Sequence, residues 1–313
     1  MKKIAILILA LLLVFVLGCG NEATNSESGN NFAVITDDLG REVELAKKPE
    51  RIAVTSASFL EALHSVGGDV VARPDSKTKM PDFAKDKISI GKVYQINTEA
   101  LVAAAPDLVI INKGMNEKLV DTLDASGIKS LVISAKTYDE VKNEINIFAK
   151  ITGETERGAA LIKDMDEKIA ATKAKIPAES KKIMIIHSTN QGLTVQLKGS
   201  IAGDVADILG WENLAAGDTP LENNPDAAPY SLETLLAKNP EILFITSMGD
   251  LDAIKANMEQ MMADNPAWQS LDAVKNNRVY YLPQDLFLLS PDIHYPEAVE
   301  TMAKLVYPES FND

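Results

Sequence analysis

The chain carries one cysteine, Cys19, in 313 residues. No intrachain disulfide is possible, so the fold must rest on packing alone. Only three histidines occur, His64, His187 and His294, too few for a poly-histidine metal centre. Aromatic residues amount to 5%, which weighs against a sugar-stacking surface. Positive charge is short as well. The formal net charge is −14, the wrong sign for nucleic acid or an anionic membrane surface, both of which need basic patches. H-E-x-x-H, G-x-S-x-G and P-loop patterns are missing, so no motif points to an enzyme.

What is present begins with an address. Met1-Lys2-Lys3 is a short positive start, and an apolar run follows from Ile4 to Leu17. A membrane span needs about 20 apolar residues, so this run has the length and flanks of a secretory signal. It ends in Leu17-Gly18-Cys19, which resembles the bacterial lipobox. That resemblance implies cleavage before Cys19, lipid on its thiol and an extracytoplasmic, membrane-anchored protein. Residues 21–31, NEATNSESGNN, lack any side chain that could hold a core and read as a flexible tether.

The rest alternates between strand and helix patterns. Strands are predicted at Arg51–Thr55, Asp107–Asn112 and Ser130–Ser134. Helices are predicted from Ser58 to the glycine pair at Gly67, at Thr98–Ala104, at Asn116–Ala125 and at Tyr138–Ile151. Thr155–Lys175 reads as one long helix, rich in Ala, Lys and Glu, with no proline before Pro177. Alternation then resumes with strands at Lys182–His187, Glu241–Thr246 and Arg278–Leu282. Helices follow the same rule at Ile201–Leu209, Leu232–Lys238, Leu251–Met262 and Pro296–Leu305. Such alternation implies parallel sheets covered by helices.

The segment 97–107, NTEALVAAAPD, is echoed by 231–241, SLETLLAKNPE. Each is a capped helix, a proline stop and then a buried strand. The expected fold is therefore α/β, with two similar lobes, parallel-type central sheets and one bridging helix. Its segments are a signal peptide (1–18), a lipidated tether (19–31), an N-terminal lobe (32–153), a linker helix (154–177) and a C-terminal lobe (178–313).

Ligands of open parallel sheets bind beyond the carboxyl ends of the strands, and two lobes place that region in the crevice between them. The loops nominated carry Ser56 and Ser58, then Lys113 and Met115, on the first lobe. His187, Ser188 and Thr189, then Ser247 and Met248, are their counterparts on the second. Tyr94 stands in the loop before the first repeated helix.

These segments resemble a known family. ITDDLGREVEL at 35–45 and KPERI at 48–52 are similar to the opening of class III substrate-binding proteins of ABC importers. The likeness continues through Asn97–Ile111, Gly203–Asn213, Pro240–Ile245, Val274–Leu282, Tyr295–Leu305 and Tyr307-Pro308-Glu309, nearly the whole mature chain. The resemblance implies a receptor for iron siderophore, haem or cobalamin that hands its cargo to an ABC permease and its ATPase. LFLLS at 286–290 and YPEA at 295–298 look most like haem receptor lipoproteins, so haem is favoured and a ferric siderophore comes next. Those receptors hold haem iron with one axial residue from each lobe. Tyr94 and Met248 match the two positions, with Met where some relatives have His, and His187 is the alternative second ligand. The family also docks its permease through an acidic residue on each lobe, which carries over to Glu61 and Asp207. No intrinsic cofactor and no metal beyond the cargo's iron are implied, and a monomer is expected.

The competing readings are a cobalamin receptor, a bare metal-ion receptor of related fold, a secreted enzyme, and a signalling or adhesion module without transport. His64 and His294 read as surface residues.

Overall fold

The computed structural model describes residues 31–76 and 80–312. Cys19, the signal segment and nearly all of the tether lie outside the described residues. A hairpin of β1 (Ala33–Thr36) and β2 (Glu42–Leu45) precedes the first sheet. Asp37 holds its turn, accepting from the Leu39 and Arg41 N–H groups and pairing with the Arg41 guanidinium at 2.6 Å.

The first sheet contains β3 (Ile52–Val54), β4 (Val70–Asp75), β5 (Ile88–Lys92), β6 (Gln95–Ile96), β7 (Leu108–Asn112) and β8 (Lys129–Ile133). Its order is β6-β5-β4-β3-β7-β8, parallel except for β6. The second contains β9 (Lys182–Thr189), β10 (Gly192–Gln196), β11 (Glu212–Asn213), β12 (Ala227–Pro229), β13 (Ile242–Met248) and β14 (Val279–Tyr281). Its order is β12-β10-β9-β13-β14, with β11 beside β9; β10 and β12 run antiparallel. The predicted strands β3, β7 and β8, and β9, β13 and β14, run from the interior of each sheet to one edge, and the unforeseen strands make up the other side. Those unforeseen segments lack the continuous apolar run of a strand buried on both faces.

The internal echo has a structural counterpart. Helix Thr98–Ala103 is capped by Asn97 and helix Leu232–Lys238 by Ser231, each side chain accepting a backbone N–H in the first turn. Each helix gives way to a left-handed residue before its proline, Ala105 at φ 47° and Asn239 at φ 41°. Strands β7 and β13 follow, each between the first strand of its sheet and an outer parallel neighbour. Helix Asn116–Ala125 is the one shortened on its N-terminal side, to Leu119–Ala125. Asn116 and Glu117 are used in the preceding loop instead, on Val93 O and Gly114 N.

The linker helix spans Thr155–Lys175 as predicted. It packs on helix Tyr138–Thr152 and on the C-terminal helix Tyr295–Val306. The first contact is close: a Cβ on Gly158 would sit 2.5 Å from Ala149 Cβ. One apolar core runs through both lobes along this side, from Phe59, Leu63 and Phe148 through Met165 and Ile169 to Ile185, Val205, Phe244 and Met302. The lobes are therefore welded by buried apolar surface, worth about 25 cal/mol per Å², which reaches the crevice wall at Ala135, Ile201 and Phe287.

Candidate functional site

Both sheets reverse their winding once. In the first the chain runs outward from β3 to β6 and returns to β7 beside β3; in the second it leaves β9 for β10 and returns to β13 beside β9. The ends of β3 and β7 are tied by the Asn112 N–H donating to Thr55 Oγ1 at 2.9 Å. Across the second reversal His187 and Thr246 are register partners, with His187 Nδ1 3.0 Å from Thr246 Oγ1. These are the switch points at which open α/β sheets bind ligands.

A cleft of about 250 Å³ joins the two switch points. Ser56, Ser58, Asn112 and Lys113 line it from the first lobe, and His187, Thr194, Gln196 and Asn224 from the second. Lys136 and Asp226 meet within it as an ion pair at 2.6 Å, one residue from each side. Lys113 Nζ is held on Asp38 O at 2.8 Å. Phe287 is the one aromatic side chain of the lining. The wall thus combines hydroxyls, amides, two ammonium groups and the Asp226 carboxylate with apolar side chains such as Val93, Ile201, Phe287 and Leu289, in a chain that is strongly acidic overall.

Of the candidates from the sequence, Ser56, Lys113, Met115 and His187 line this cleft. Tyr94 and Met248 do not. Tyr94 is 66% exposed, and its neighbour Val93 occupies the lining instead. Met248 is 53% exposed at the end of β13. Both proposed axial residues thus lie outside the lining of this cleft. His187 is half-buried, and burial pulls its pKa down, so the ring is neutral at pH 7. Among the described residues Thr246 is its one hydrogen-bond partner, which leaves Nε2 as a possible ligand atom.

The proposed docking acids are both engaged. Asp207, on helix Ile201–Ile208, pairs with Lys198 at 3.0 Å. Glu61, on helix Leu60–Ser65, meets His294 Nε2 at 2.7 Å, and His294 Nδ1 lies 2.7 Å from Glu297. His294, read from the sequence as a plain surface residue, is instead half-buried between two carboxylates. Burial pulls its pKa down, but the hydrogen bonds to Glu297 and Glu61 outweigh that and raise it. The partners lie 233 residues apart in the chain, so no local pattern announced the pair. His64 is exposed on its helix and stacks on Phe83.

Carboxylates from the second half of the chain also cap helices of the first. Asp204 accepts the Tyr138 N–H at 2.8 Å and the Tyr295 hydroxyl at 2.6 Å. Asp292 accepts the Ala62 N–H at 2.8 Å. No group of three or more His, Cys, Asp or Glu side chains among the described residues is placed to hold a metal ion.

A family model described as "Periplasmic binding protein" matches residues 52–286. The chain is 27% identical to the Fe(3+)-citrate-binding protein YfmC of Bacillus subtilis, over 99% of this chain and 98% of that one. It is 25% identical to the putative ABC transporter substrate-binding lipoprotein YhfQ of the same organism, over 96% of each. Among solved structures, S. aureus IsdE complexed with heme superposes with a TM-score of 0.71 at 20% identity, covering 82% of this chain and 98% of that one.

Proposed function

The chain belongs to the periplasmic binding protein family, and from that premise we propose that it captures an anionic ferric chelate in the inter-lobe cleft and delivers it to an ABC permease. The observation that carries the ligand class is the cleft's own charge. Lys113 and Lys136 stand in the lining against one carboxylate, Asp226, in a chain of net charge −14. Ammonium groups and hydroxyls suit carboxylate or hydroxamate oxygens around a ferric centre. The name of the ferric citrate-binding relative agrees with that chemistry.

The test is equilibrium binding of ferric citrate, a ferric hydroxamate and haemin to the full chain in detergent. A ferric chelate is expected to bind and to lose about tenfold or more in affinity in Lys136→Ala, the size of a lost charge-assisted contact. Equal affinity in the variant would remove the basis of the assignment.

A haem ligand is the second reading, and His187 favours it. Its neutral ring lines the cleft and keeps Nε2 available. Tyr94 and Met248 would have to turn inward to take part. This reading expects a Soret shift with haemin that His187→Ala abolishes.

Binding without catalysis, permease docking through Glu61 and Asp207, and a lipid anchor on Cys19 complete the proposal. No helix among the described residues is long and apolar enough to cross a membrane. Cys19→Ala is expected to leave chelate affinity unchanged while the protein appears in the culture medium or accumulates unprocessed. Full membrane retention of processed protein would contradict the anchor.

A further inference from the structure

The segment Gln284–Glu297 touches three parts of the molecule. At its start, Gln284 Nε2 donates to Ser247 Oγ and Gly249 O, both at 3.0 Å, at the end of β13. In its middle, Phe287 to Ser290 form part of the ligand cleft wall. At its end it grips first-lobe helix Leu60–Ser65 twice, through Asp292 on the Ala62 N–H and through His294 on Glu61.

A second cavity of about 250 Å³ lies on the other side of the same segment, lined by Glu61, Asp285, His294 and Glu297. Ser58, Leu289 and Ser290 line both cavities. The ligand cleft and the cavity beside Glu61 thus share part of their wall. The segment is held under strain, because Asp292 is buried in the left-handed region at φ 53°, an arrangement that persists only when its surroundings enforce it.

We propose that Gln284–Glu297 is a coupling strap, through which a cationic side chain binding Glu61 displaces His294 and loosens the cleft wall at Phe287–Ser290. This rests on the reading of Glu61 as a docking residue. Among the described residues His294 is the one side chain that pairs with Glu61, and an incoming guanidinium competes with it for the same oxygens. Loss of the His294 contact leaves Asp292 as the strap's remaining side-chain bond to that helix. Docking would then weaken ligand retention at the moment of delivery, with no need for a wide opening of the lobes.

The test follows backbone amide exchange in the full chain in detergent, first without ligand. His294→Ala is expected to accelerate exchange about two- to fivefold in both Leu60–Leu63 and Phe287–Ser290, the range set by a half-exposed ion pair. Glu61→Gln should do the same to a smaller extent, because an amide still accepts from the imidazole. A hexa-arginine peptide should accelerate both segments in the wild type and neither in Glu61→Gln. Acceleration confined to Leu60–Leu63 would overturn the coupling, and no response to the peptide in the wild type would overturn the displacement. The dissociation rate of ferric citrate should rise in His294→Ala by a similar factor. If ferric citrate fails to bind the wild type while both segments still respond, the ligand assignment fails and the strap stands.

Discussion

Asp292 and Glu144 are buried acids with incomplete hydrogen bonding. Among the described residues Glu144 has no partner for either oxygen, and Asp292 leaves Oδ1 without one. Burial first, then the charges of Asp292 and Asp38, push the Glu144 carboxyl well up. Burial raises Asp292 to about 7, with the Ala62 N–H opposing and Glu61 adding to the rise. A carboxyl raised in the native state keeps a proton that the unfolded chain has released. Asp292 therefore costs nothing near pH 4, and stability falls as pH rises from there toward about 7. Asp292→Asn keeps an oxygen for the Ala62 N–H and suits the left-handed backbone. It is expected to raise stability by about 1–4 kcal/mol at pH 8 and by little at pH 4, measured by urea unfolding at both. A constant difference across pH would show that Asp292 is ionised throughout. None of this was legible in the sequence, where Asp292 is one acid among many and its burial comes from residues 230 positions away.

At the scale of elements, helix Tyr138–Thr152 carries its own start and stop. Thr137 and Glu140 form a capping box, and Gly153 ends it at φ 73°. The linker helix that follows has no side-chain cap at its start, and contact with its neighbours supports it instead. At Gly158 the two helices lie in close contact. Gly158→Ala improves helix propensity by about 1 kcal/mol but drives a methyl into Ala149. Overpacking of this kind costs about 1–3 kcal/mol, so the melting temperature is expected to fall; a rise would mean that the helices separate easily. Gly203 is more restricted still, since an added Cβ would overlap the Leu197 carbonyl oxygen at 2.0 Å. The predicted helices and central strands formed nearly where periodicity put them, because caps, glycines and apolar spacing act within a few residues. Strands β4, β5, β10 and β12 escaped, since their pairing depends on neighbours rather than on their own pattern.

At the scale of the molecule, the two sheets are joined on one side by a continuous apolar core and the linker helix. Across the cleft they also meet through the Lys136–Asp226 ion pair. A hinge with its apolar side welded permits small adjustments and resists wide opening. Small-angle scattering of the full chain in detergent, with and without ferric citrate, is expected to give superimposable profiles. A marked contraction on binding would show that the apolar side slides.

Sequence by itself determined the α/β class, the two lobes with their internal echo and the long helix, because these follow from short-range periodicity and capping. It also located the loops at the strand ends, and so placed Ser56, Lys113, Met115 and His187 at the cleft. Tertiary structure decided the rest. It left Tyr94 and Met248 exposed and outside the lining, set Lys136 against Asp226, and joined Glu61 to His294. Those outcomes depend on how the two lobes meet, and partners 90 or 233 positions apart leave no mutual pattern in a single chain.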